Sequence, residues 1–400
     1  MQRKIINDPV HGFITIDDEL IFNLINHPYY QRLRRIQQMA LAHLVYPGAV
    51  HTRLHHSLGA YHLMRFALFE LKLKGIAITA EEETAAKIAI LLHDIGHGPY
   101  SHALEGILMP KYHHEELSLA IMHQLNATFE GRLGTAISIF TNAYPKKFLH
   151  QLVSGQLDVD RLDYLARDSF FTGVTEGAIG YDRILKMITV VNDNLVIEEK
   201  AIFSVEKFLL ARRLMYWQVY LHKTVVAAEQ MLRNIINRAK QINAESNSIY
   251  LNKILYHTYN NEAELINHFC TIDDTDVMGA IKHWSLHNDY VLATLCTSLI
   301  NRKLYKIQFV QPSEVAQKLQ VHYQQLSTNS SLTQSEYSYL AFSGTLQNNV
   351  YSSKEEGINI LYKNGTINDI SAVSHGIVSK TSQSQNTEME LKYYICYLPL

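Results

Sequence analysis

The sequence predicts a mainly α-helical protein with a small β-hairpin and a mixed α+β extension at its C-terminal end. Three observations support this fold class. Apolar residues recur at intervals near three and four through most of the first 325 residues, which is typical of amphipathic helices. Asn192-Asp193-Asn194 separates the runs MITVV and LVIEE, which predicts a hairpin. Asn364-Gly365 lies between two alternating runs and predicts a second one.

Twelve segments have the apolar spacing of helices. They cover residues 17–41, 55–73, 81–94, 113–127, 146–153, 158–168, 181–189, 205–242, 250–257, 261–268, 274–283 and 289–302. The polar segment 326–338, with the sequence LSTNSSLTQSEYS, predicts a linker or a mobile loop. We therefore expect a helical body at 1–325 and a small mixed C-terminal region at 326–400.

Composition excludes several classes of protein. The 400 residues are 47% apolar and 18% charged, which is typical of a globular protein, and the net charge is −2. The chain therefore lacks the net positive charge that would attract it to nucleic acid or to an anionic membrane. The three scattered cysteines argue against a disulfide framework and against a thiolate zinc site. The sequence has no signal core and no apolar run of about 18 residues, so we expect a cytoplasmic protein.

The segment LLHDIGHGPYSH at 91–102 places three histidines and one aspartate directly after an apolar run. A catalytic divalent metal needs imidazole or oxygen ligands that are held on rigid elements. Adjacent helical residues diverge by about 100 degrees, so His93 and Asp94 can share one ion only where the helix frays. Gly96 and Gly98 permit that loosened geometry. The segment therefore predicts a metal site at a helix end.

Three other segments carry polar residues of similar character. RLHHSLG at 53–59 places Arg53 and His56 about one turn apart, and LDVDRLDYLARD at 157–168 collects carboxylates, an arginine and a tyrosine. ARRLMYWQVYLHK at 211–223 adds an arginine and tyrosines on one helical stripe. Guanidinium groups clamp phosphate oxygens and tyrosines can stack or donate hydrogen bonds. This mixture is suited to a metal-assisted attack on a phosphate ester.

Taken in order, these segments resemble a known family. His56, the pair His93-Asp94 and Asp160 match the H…HD…D signature of the HD-domain metal-dependent phosphohydrolases. The longer segments NDPVHGFI, PYYQRLRRIQQ, YPGAVHTRLHHSLG, LLHDIGHGPYSH, HHEE and DVDRLDYLARD resemble its deoxynucleoside triphosphate triphosphohydrolase branch, which includes the vertebrate SAM-and-HD-domain enzymes and bacterial relatives. The similarity is strong over about residues 3 to 225 and weak over 275 to 308. It implies an HD-domain helical bundle.

The resemblance implies a metal centre. The matching ligands are His56, His93, Asp94 and Asp160. The family usually holds iron, manganese, nickel or zinc at these positions, sometimes with magnesium as a second ion. We therefore expect a divalent transition metal as cofactor.

The resemblance also implies catalytic residues beside the metal. His97, His102 and His114 match family histidines that line the phosphate site. We expect His102 to donate a proton to the leaving oxygen, with His114 and Glu115 orienting it. In a plainer interpretation, His97 and His102 only cap the helix end or support the metal ligands.

The remaining matched positions are implied to contact the substrate. The phosphate contacts would be Arg53, Arg161 and Arg212. The sugar and nucleotide contacts would be Gln38, Tyr164, Asp168 and Tyr216, with Met39 where the vertebrate enzyme has leucine. Alternatively, Arg161 is neutralised by a neighbouring aspartate, and the tyrosines belong to the core.

Partners follow from the same resemblance. Asn7, Gln31 and Arg34 match the family's regulatory nucleotide site, but Asn26 replaces a guanine-reading aspartate, so activation by GTP is not predicted. Relatives assemble through the helical body, so we expect a homo-oligomer. Binding to a membrane is not expected, and binding to nucleic acid is disfavoured by the neutral composition.

Three functions remain open. The first is a metal-dependent dNTP triphosphohydrolase that attacks the α-phosphorus and releases a deoxynucleoside and triphosphate. The second is a nucleotidase or another phosphomonoester or phosphodiester hydrolase on the same HD site. The third belongs to another class, a nucleotide-responsive binding or assembly protein with little turnover.

Overall fold

A computed structural model describes residues 3–259, 261–329, 332–348, 357–373 and 390–399. Within them lie seventeen α-helices and nine β-strands. The helices are α1 (Glu19–Asn26), α2 (Pro28–Gln31), α3 (Arg53–Leu73), α4 (Ala80–Leu92), α5 (His114–Thr128), α6 (Gly134–Phe140), α7 (Lys147–Val153), α8 (Val159–Thr172), α9 (Tyr181–Met187), α10 (Ile202–Met215), α11 (Lys223–Gln241), α12 (Ile249–Tyr256), α13 (Glu262–Phe269), α14 (Asp274–Trp284), α15 (Tyr290–Ile300), α16 (Val315–Asn329) and α17 (Gln334–Leu340).

The strands form three small sheets. They are β1 (Lys4–Asp8), β2 (Gly12–Ile16), β3 (Ile188–Val191), β4 (Asn194–Glu198), β5 (Lys306–Val310), β6 (Ala341–Asn348), β7 (Asn359–Leu361), β8 (Ile367–Asp369) and β9 (Glu390–Tyr397). The strand orders are β1-β2, β3-β4-β7-β8 and β5-β9-β6. All neighbours are antiparallel except β4 and β7, which are parallel. The predicted fold class, a mainly helical body with small β elements, is therefore confirmed.

Both predicted hairpins are present. β3 pairs with β4 around Asn192 and Asp193, whose φ angles are +50° and +59°. Asparagine and aspartate tolerate this left-handed conformation better than other non-glycine residues. β7 pairs with β8 around Gly365, which has φ +84°. In each case the turn residue supplies the backbone conformation that a tight hairpin needs.

Helices α3, α4 and α8 form the centre of the body. α4 begins at a capping box in which Thr79 and Glu82 satisfy each other's backbone N–H groups. Its last two turns are buried on every side, and each buried isoleucine or leucine there stabilises the fold by about 1.5–3 kcal/mol. α3 packs against both α4 and α8. The C-terminal end of α4 therefore points into the middle of the body.

Two predicted helices are interrupted in the structure. The segment 17–41 divides into α1 and α2, because His27 is extended and caps a new helix that starts at Pro28, and a 3-10 turn then follows. The segment 205–242 divides into α10 and α11, which a π-helical turn at Tyr216–Tyr220 separates. Apolar periodicity continues through both interruptions, so it could not reveal them. π-Helical turns frequently occur at functional sites.

The predicted linker at 326–338 is wrong over most of its length, because α16 continues to Asn329 and α17 begins at Gln334. A capping box at Thr333 starts α17. The boundary at residue 325 stays a prediction, and strands pair across it: β5 pairs with β9, and β4 pairs with β7. Among the described residues, no helix combines the length and the apolar character needed to cross a membrane.

Candidate active site

Four side chains from three helical segments converge at the end of α4. His56 lies on α3, His93 and Asp94 leave the C-terminal end of α4, and Asp160 lies in the first turn of α8. An Asp160 carboxylate oxygen lies 3.0 Å from His56 Nε2 and 3.4 Å from His93 Nε2. Asp94 lies 3.7 Å and 3.4 Å from the same two nitrogens. The four residues expected to bind metal are therefore brought to one point.

The orientation of the two imidazole rings suits a metal ion. His56 Nδ1 donates to Asp163 at 2.8 Å, and His93 Nδ1 donates to the carbonyl of Ile90 at 2.6 Å. Both Nε2 atoms are buried without a hydrogen-bond partner in the described part of the chain. Metal-binding histidines characteristically donate their other ring nitrogen in this way, which leaves a lone pair for the ion. The donor set of two imidazoles and two carboxylates fits a divalent transition metal.

The electrostatics of the cluster agree with this assignment. Burial opposes the charged form of His56, but the neighbouring Asp160 and Asp163 carboxylates raise its pKa to about 10. Burial likewise opposes ionisation of the two carboxylates, yet the neighbouring histidines hold the pKa of Asp160 below its usual range, and His93 with Arg53 lowers that of Asp94. The site is thus organised around positive charge among ionised carboxylates.

Asp163, on the buried face of α8, connects His56 to the N-terminal hairpin. It accepts from His56 Nδ1, from His11 Nε2 at 2.6 Å, and from Arg167 through two bonds of 3.0 Å. Arg167 also donates to Asp8 on β1 at 2.8 Å. All these side chains are buried. This network fixes the ring orientation of His56, an expected metal ligand, and was not predicted from the sequence.

A cavity of about 350 Å³ opens beside the cluster. Ten of the predicted site residues line it: Gln38, Arg53, Asp94, His97, His102, His114, Asp160, Tyr164, Asp168 and Tyr216. Its wall also includes Met39, Ala40, Ala42, Ser101, Ala103, Val219, Tyr220, Val225 and Glu229. The volume is that of a small-molecule site.

One wall of the cavity carries imidazole and guanidinium groups. His97 and His114 stack with ring centroids 4.0 Å apart, and His102 meets His114 edge-on at 5.1 Å. Burial and the nearby Arg53 hold the pKa of His97 well below its usual value. Arg53 donates to Asp94 and, at 2.7 Å, to the Ser101 hydroxyl. These donors suit the oxygens of a phosphate.

A glutamate that we did not predict orients the two outer histidines. Glu105 accepts from His102 Nδ1 at 2.8 Å and from His114 Nδ1 at 2.6 Å, so the Nε2 atoms remain for a ligand. These hydrogen bonds hold the pKa of Glu105 far below its usual range. Glu115 is exposed, and nothing in the described residues joins it to His114. The expectation that Glu115 orients His102 is therefore corrected: Glu105 occupies that place. Its spacing three residues after His102 was the available sequence signal.

Two predicted phosphate contacts, Arg161 and Arg212, are not among the residues that line the cavity. Arg161 forms an ion pair with Asp158, the N-cap of its own helix. Arg212 donates to Gln156 at 3.2 Å. Both guanidinium groups act electrostatically on the half-buried Tyr164. The alternative interpretation of Arg161, neutralisation by a neighbouring aspartate, describes this geometry.

A second wall of the cavity holds the residues expected near a sugar. Asp168 accepts from His51 at 2.6 Å and from the Tyr220 hydroxyl at 2.7 Å, so both its oxygens are engaged. Burial and this carboxylate raise the pKa of Tyr220. The buried amide oxygen of Gln38 has no hydrogen-bond partner in the part of the chain described here. It could therefore accept from a ligand hydroxyl.

Tyr216 reaches the cavity from the π-helical turn. Its ring meets that of Tyr220 at 5.3 Å, and Tyr220 meets Tyr164 at 6.4 Å. The carbonyl of Gln218 in the same turn accepts from Tyr46. The turn thereby contributes two aromatic side chains, Tyr216 and Tyr220, to the lining of the cavity.

The residues matched to a regulatory nucleotide site lie elsewhere. Asn7 is exposed on β1. Gln31 donates to the carbonyl of Ile25 at 2.7 Å and accepts from Arg34 Nε at 2.7 Å. Asn26 donates to Phe22 at 2.9 Å, within its own helix. These side chains therefore interact mainly with their own segment.

Comparison with known proteins identifies the family. The HD domain model matches residues 53–168, and the model of the HD associated region matches residues 179–332. A phosphohydrolase from Bacteroides thetaiotaomicron has a crystal structure that superimposes with a TM-score of 0.91 at 46% identity, over 100% of both chains. The uncharacterized protein YwfO of Bacillus subtilis is 30% identical over 98% of this chain and 92% of its own length.

A further relative is known by its activity. The deoxynucleoside triphosphate triphosphohydrolase SAMHD1 homolog of Dictyostelium discoideum is 30% identical over 257 residues, which are 60% of this chain and 50% of that protein. The chain thus spans about half the length of that relative. Together with the converging ligands, these matches show that the chain belongs to the HD-domain family and is a metal-dependent phosphohydrolase of the HD superfamily.

Proposed function

We propose that this chain is a deoxynucleoside triphosphate triphosphohydrolase that releases a deoxynucleoside and intact triphosphate. The observation that carries the proposal is the layout of the cavity. Asp94 and Asp160 of the cluster line it together with two sets of side chains, a wall of histidines with Arg53 and a wall of tyrosine, aspartate and glutamine. The first wall suits phosphate oxygens and the second suits a sugar. The similarity to a named triphosphohydrolase supports the same substrate class.

The proposed cofactor is iron, manganese, nickel or zinc at His56, His93, Asp94 and Asp160, with magnesium as a possible second ion. When bound, such an ion lowers the pKa of a coordinated water toward about 7 and supplies the nucleophile. Asp163 and the carbonyl of Ile90 accept hydrogen bonds from Nδ1 of His56 and of His93, respectively. These bonds would orient both Nε2 lone pairs toward the ion. This orientation avoids reorganisation when the ion binds.

The histidine and arginine wall would stabilise the transition state. Arg53 would turn from Asp94 toward a nonbridging oxygen and offset its growing charge. His102 Nε2 would donate a proton to the leaving oxygen, because its Nδ1 is held by Glu105. His97 and His114 would contact the phosphates. Arg161 and Arg212 remain proposed phosphate contacts and would have to leave Asp158 and Gln156 to reach them.

The second wall would position the sugar. The Gln38 amide oxygen would accept from the 3′-hydroxyl, for which it has no competing partner in the described residues. Tyr164 and Tyr216 would pack on the sugar and the nucleotide, and Asp168 would hold the Tyr220 hydroxyl in place. Holding the reacting groups in one orientation supplies much of the rate enhancement in such sites.

Other parts of the proposal concern partners. A homo-oligomer, and a regulatory nucleotide near Asn7, Gln31 and Arg34, are proposed from the resemblance. A nucleotidase or another phosphoester hydrolase on the same HD site is the second candidate function, since the ligand cluster itself does not select the leaving group. A nucleotide-responsive binding protein with little turnover is the third.

The deciding experiment is incubation of the metal-reconstituted protein with individual nucleotides, with products resolved by chromatography. Release of deoxynucleoside and inorganic triphosphate supports the proposal. Release of orthophosphate or hydrolysis of monophosphates selects the second candidate. Unchanged nucleotides, with Asp94→Ala indistinguishable from the parent protein, select the third.

A further inference from the structure

Two loops outside the α-helices contribute side chains to the two walls of the cavity. Gln38 lies in the loop that precedes α3, where Gln37 forms an isolated β-bridge with Thr52. His102 lies in a single 3-10 turn, Ser101–Ala103, that follows α4. Buried backbone groups outside helices and sheets need partners from elsewhere in the protein. The positions of Gln38 and His102 therefore depend on what holds these two loops.

One carboxylate holds both loops. Asp274, the first residue of α14, accepts from the backbone N–H of Tyr100 at 2.7 Å with one oxygen and from that of Gln37 at 2.8 Å with the other. Its side chain is buried. Gln37 immediately precedes Gln38, and Tyr100 lies two residues before His102. Asp274 therefore sets the separation of two backbone segments that carry residues of the two walls.

The loop held at Tyr100 has an unfavourable backbone conformation. Tyr100 and Ser101 have φ angles of +54° and +52°, in the left-handed region that is costly for residues with a side chain. Such residues persist where the surrounding structure determines their conformation. The Ser101 hydroxyl donates to the carbonyl of Gln37 at 2.9 Å and accepts from Arg53 Nε at 2.7 Å. The two loops and Arg53 are thus joined into one hydrogen-bonded unit, with Asp274 as its buried anchor.

Helix capping does not account for Asp274. The cap of α14 is formed by Asp273, which accepts from the N–H of Thr275 at 2.9 Å, and by Asp276, which accepts from the N–H of Asp273 at 3.0 Å. Both oxygens of Asp274 are directed to the loops instead. Burial raises the pKa of this carboxyl group to about 7, while the two backbone N–H groups favour its ionised form. Its position is thus costly and is explained by the loops rather than by the helix.

We propose that Asp274 is a positioning residue that keeps Gln38 and His102, on the two walls, at the separation that the substrate requires. Arg53 is held with them through Ser101. This inference rests on the proposed function, because that function gives Gln38 and His102 their roles at the sugar and the leaving oxygen. Asp274 is not among the residues that line the cavity, so it acts through the loops and not by contact with the substrate.

The kinetic test compares Asp274→Asn with Asp276→Asn, a matched control on the same helix. Asparagine keeps one acceptor oxygen, but its NH₂ group would face one of the two backbone N–H donors, so one loop must move. Because a misplacement of about 1 Å can cost about 100-fold in rate, we expect kcat/KM for individual dNTPs to fall by about 10–100-fold. Asp276→Asn should lower the melting temperature, because it weakens the cap and a hydrogen bond from Ser248 at 2.7 Å, but it should keep the parent kinetics. Equal kinetics in the two variants would overturn the inference.

Hydrogen exchange of the backbone amides reports on the loops without turnover. In Asp274→Asn, segments 36–40 and 98–104 should exchange faster, whereas in Asp276→Asn faster exchange should be confined to the start of α14. If Asp274→Asn does not fold, the parent protein decides the question. Slow exchange at the amides of Gln37 and Tyr100 supports the inference, and fast exchange at either of them overturns it.

Failure of the proposed function can be told apart from failure of this inference. A parent protein that releases no triphosphate refutes the function, while hydrolysis of bis(p-nitrophenyl) phosphate and hydrogen exchange still test Asp274. Triphosphate release by the parent, with unchanged kinetics or unchanged exchange in Asp274→Asn, refutes only the inference.

Discussion

Substitution of Asp163 by asparagine tests whether the ring orientation of His56 controls metal binding. The Asp163 carboxylate accepts four hydrogen bonds, from His56, His11 and twice from Arg167. Asparagine has nearly the same shape but only one acceptor oxygen, and its NH₂ group would face N–H donors. At least one imidazole must therefore lose its acceptor or change its tautomer.

The magnitude follows from the burial of the network. Removing one partner of a buried ion pair costs about 3–5 kcal/mol. Because Asp8 still accepts from Arg167 at 2.8 Å and asparagine keeps one acceptor, we expect a loss near the lower end, about 3 kcal/mol. Loss of a carboxylate that orients a metal-binding histidine typically weakens metal affinity by about 10–100-fold. Both effects should appear together.

Metal affinity would be measured by competition with a chelator, and stability by urea unfolding of the metal-free protein. Asp17→Asn is the matched control, because Asp17 pairs with Arg65 at the surface at 2.7 Å and such pairs contribute about 0–1 kcal/mol. A folded Asp163→Asn variant with the parent metal affinity would refute the reasoning, since His56 Nε2 would then be available without its acceptor. Circular dichroism of the same samples establishes that the variant is folded.

Three further predictions address the same site. Glu105→Gln should lower kcat by about 10–100-fold with little change in KM, because His102 and His114 lose their orienting carboxylate. Glu115→Gln is the control and should leave steady-state kinetics unchanged. Equal effects of the two substitutions would contradict the assignment of Glu105. Gly59→Ala should weaken metal binding and destabilise the fold, because a Cβ there would lie 2.0 Å from an Asp163 oxygen, while Gly134→Ala has open space and should be neutral in thermal unfolding. Removal of the metal should cost about 2.7 kcal/mol relative to protein at 100 times the dissociation constant, and a melting temperature that is insensitive to metal would argue against a site built from the folded cluster.

Local patterns accounted for much of the fold. Helix spacing predicted most helices of the body, and the turn residues Asn192-Asp193 and Asn364-Gly365 predicted both hairpins. The misses at the two helices predicted as continuous but interrupted in the structure have one cause. At Pro28, and in the π-helical turn at Tyr216–Tyr220, apolar spacing continues while the backbone changes conformation. The apolar spacing reflects which side chains are buried, so it cannot reveal a local change in backbone conformation.

The ordered H…HD…D signature by itself determined the family and the four residues that converge at the end of α4, because this ordered set of residue types is highly specific. The partners of these ligands depended on the tertiary structure. Asp163 meets His11 from a hairpin 152 positions away, and Glu229 reaches the cavity from α11. Such contacts join elements that are far apart in the sequence. Local spacing therefore does not encode which side chain will accept a hydrogen bond from a histidine or line the cavity.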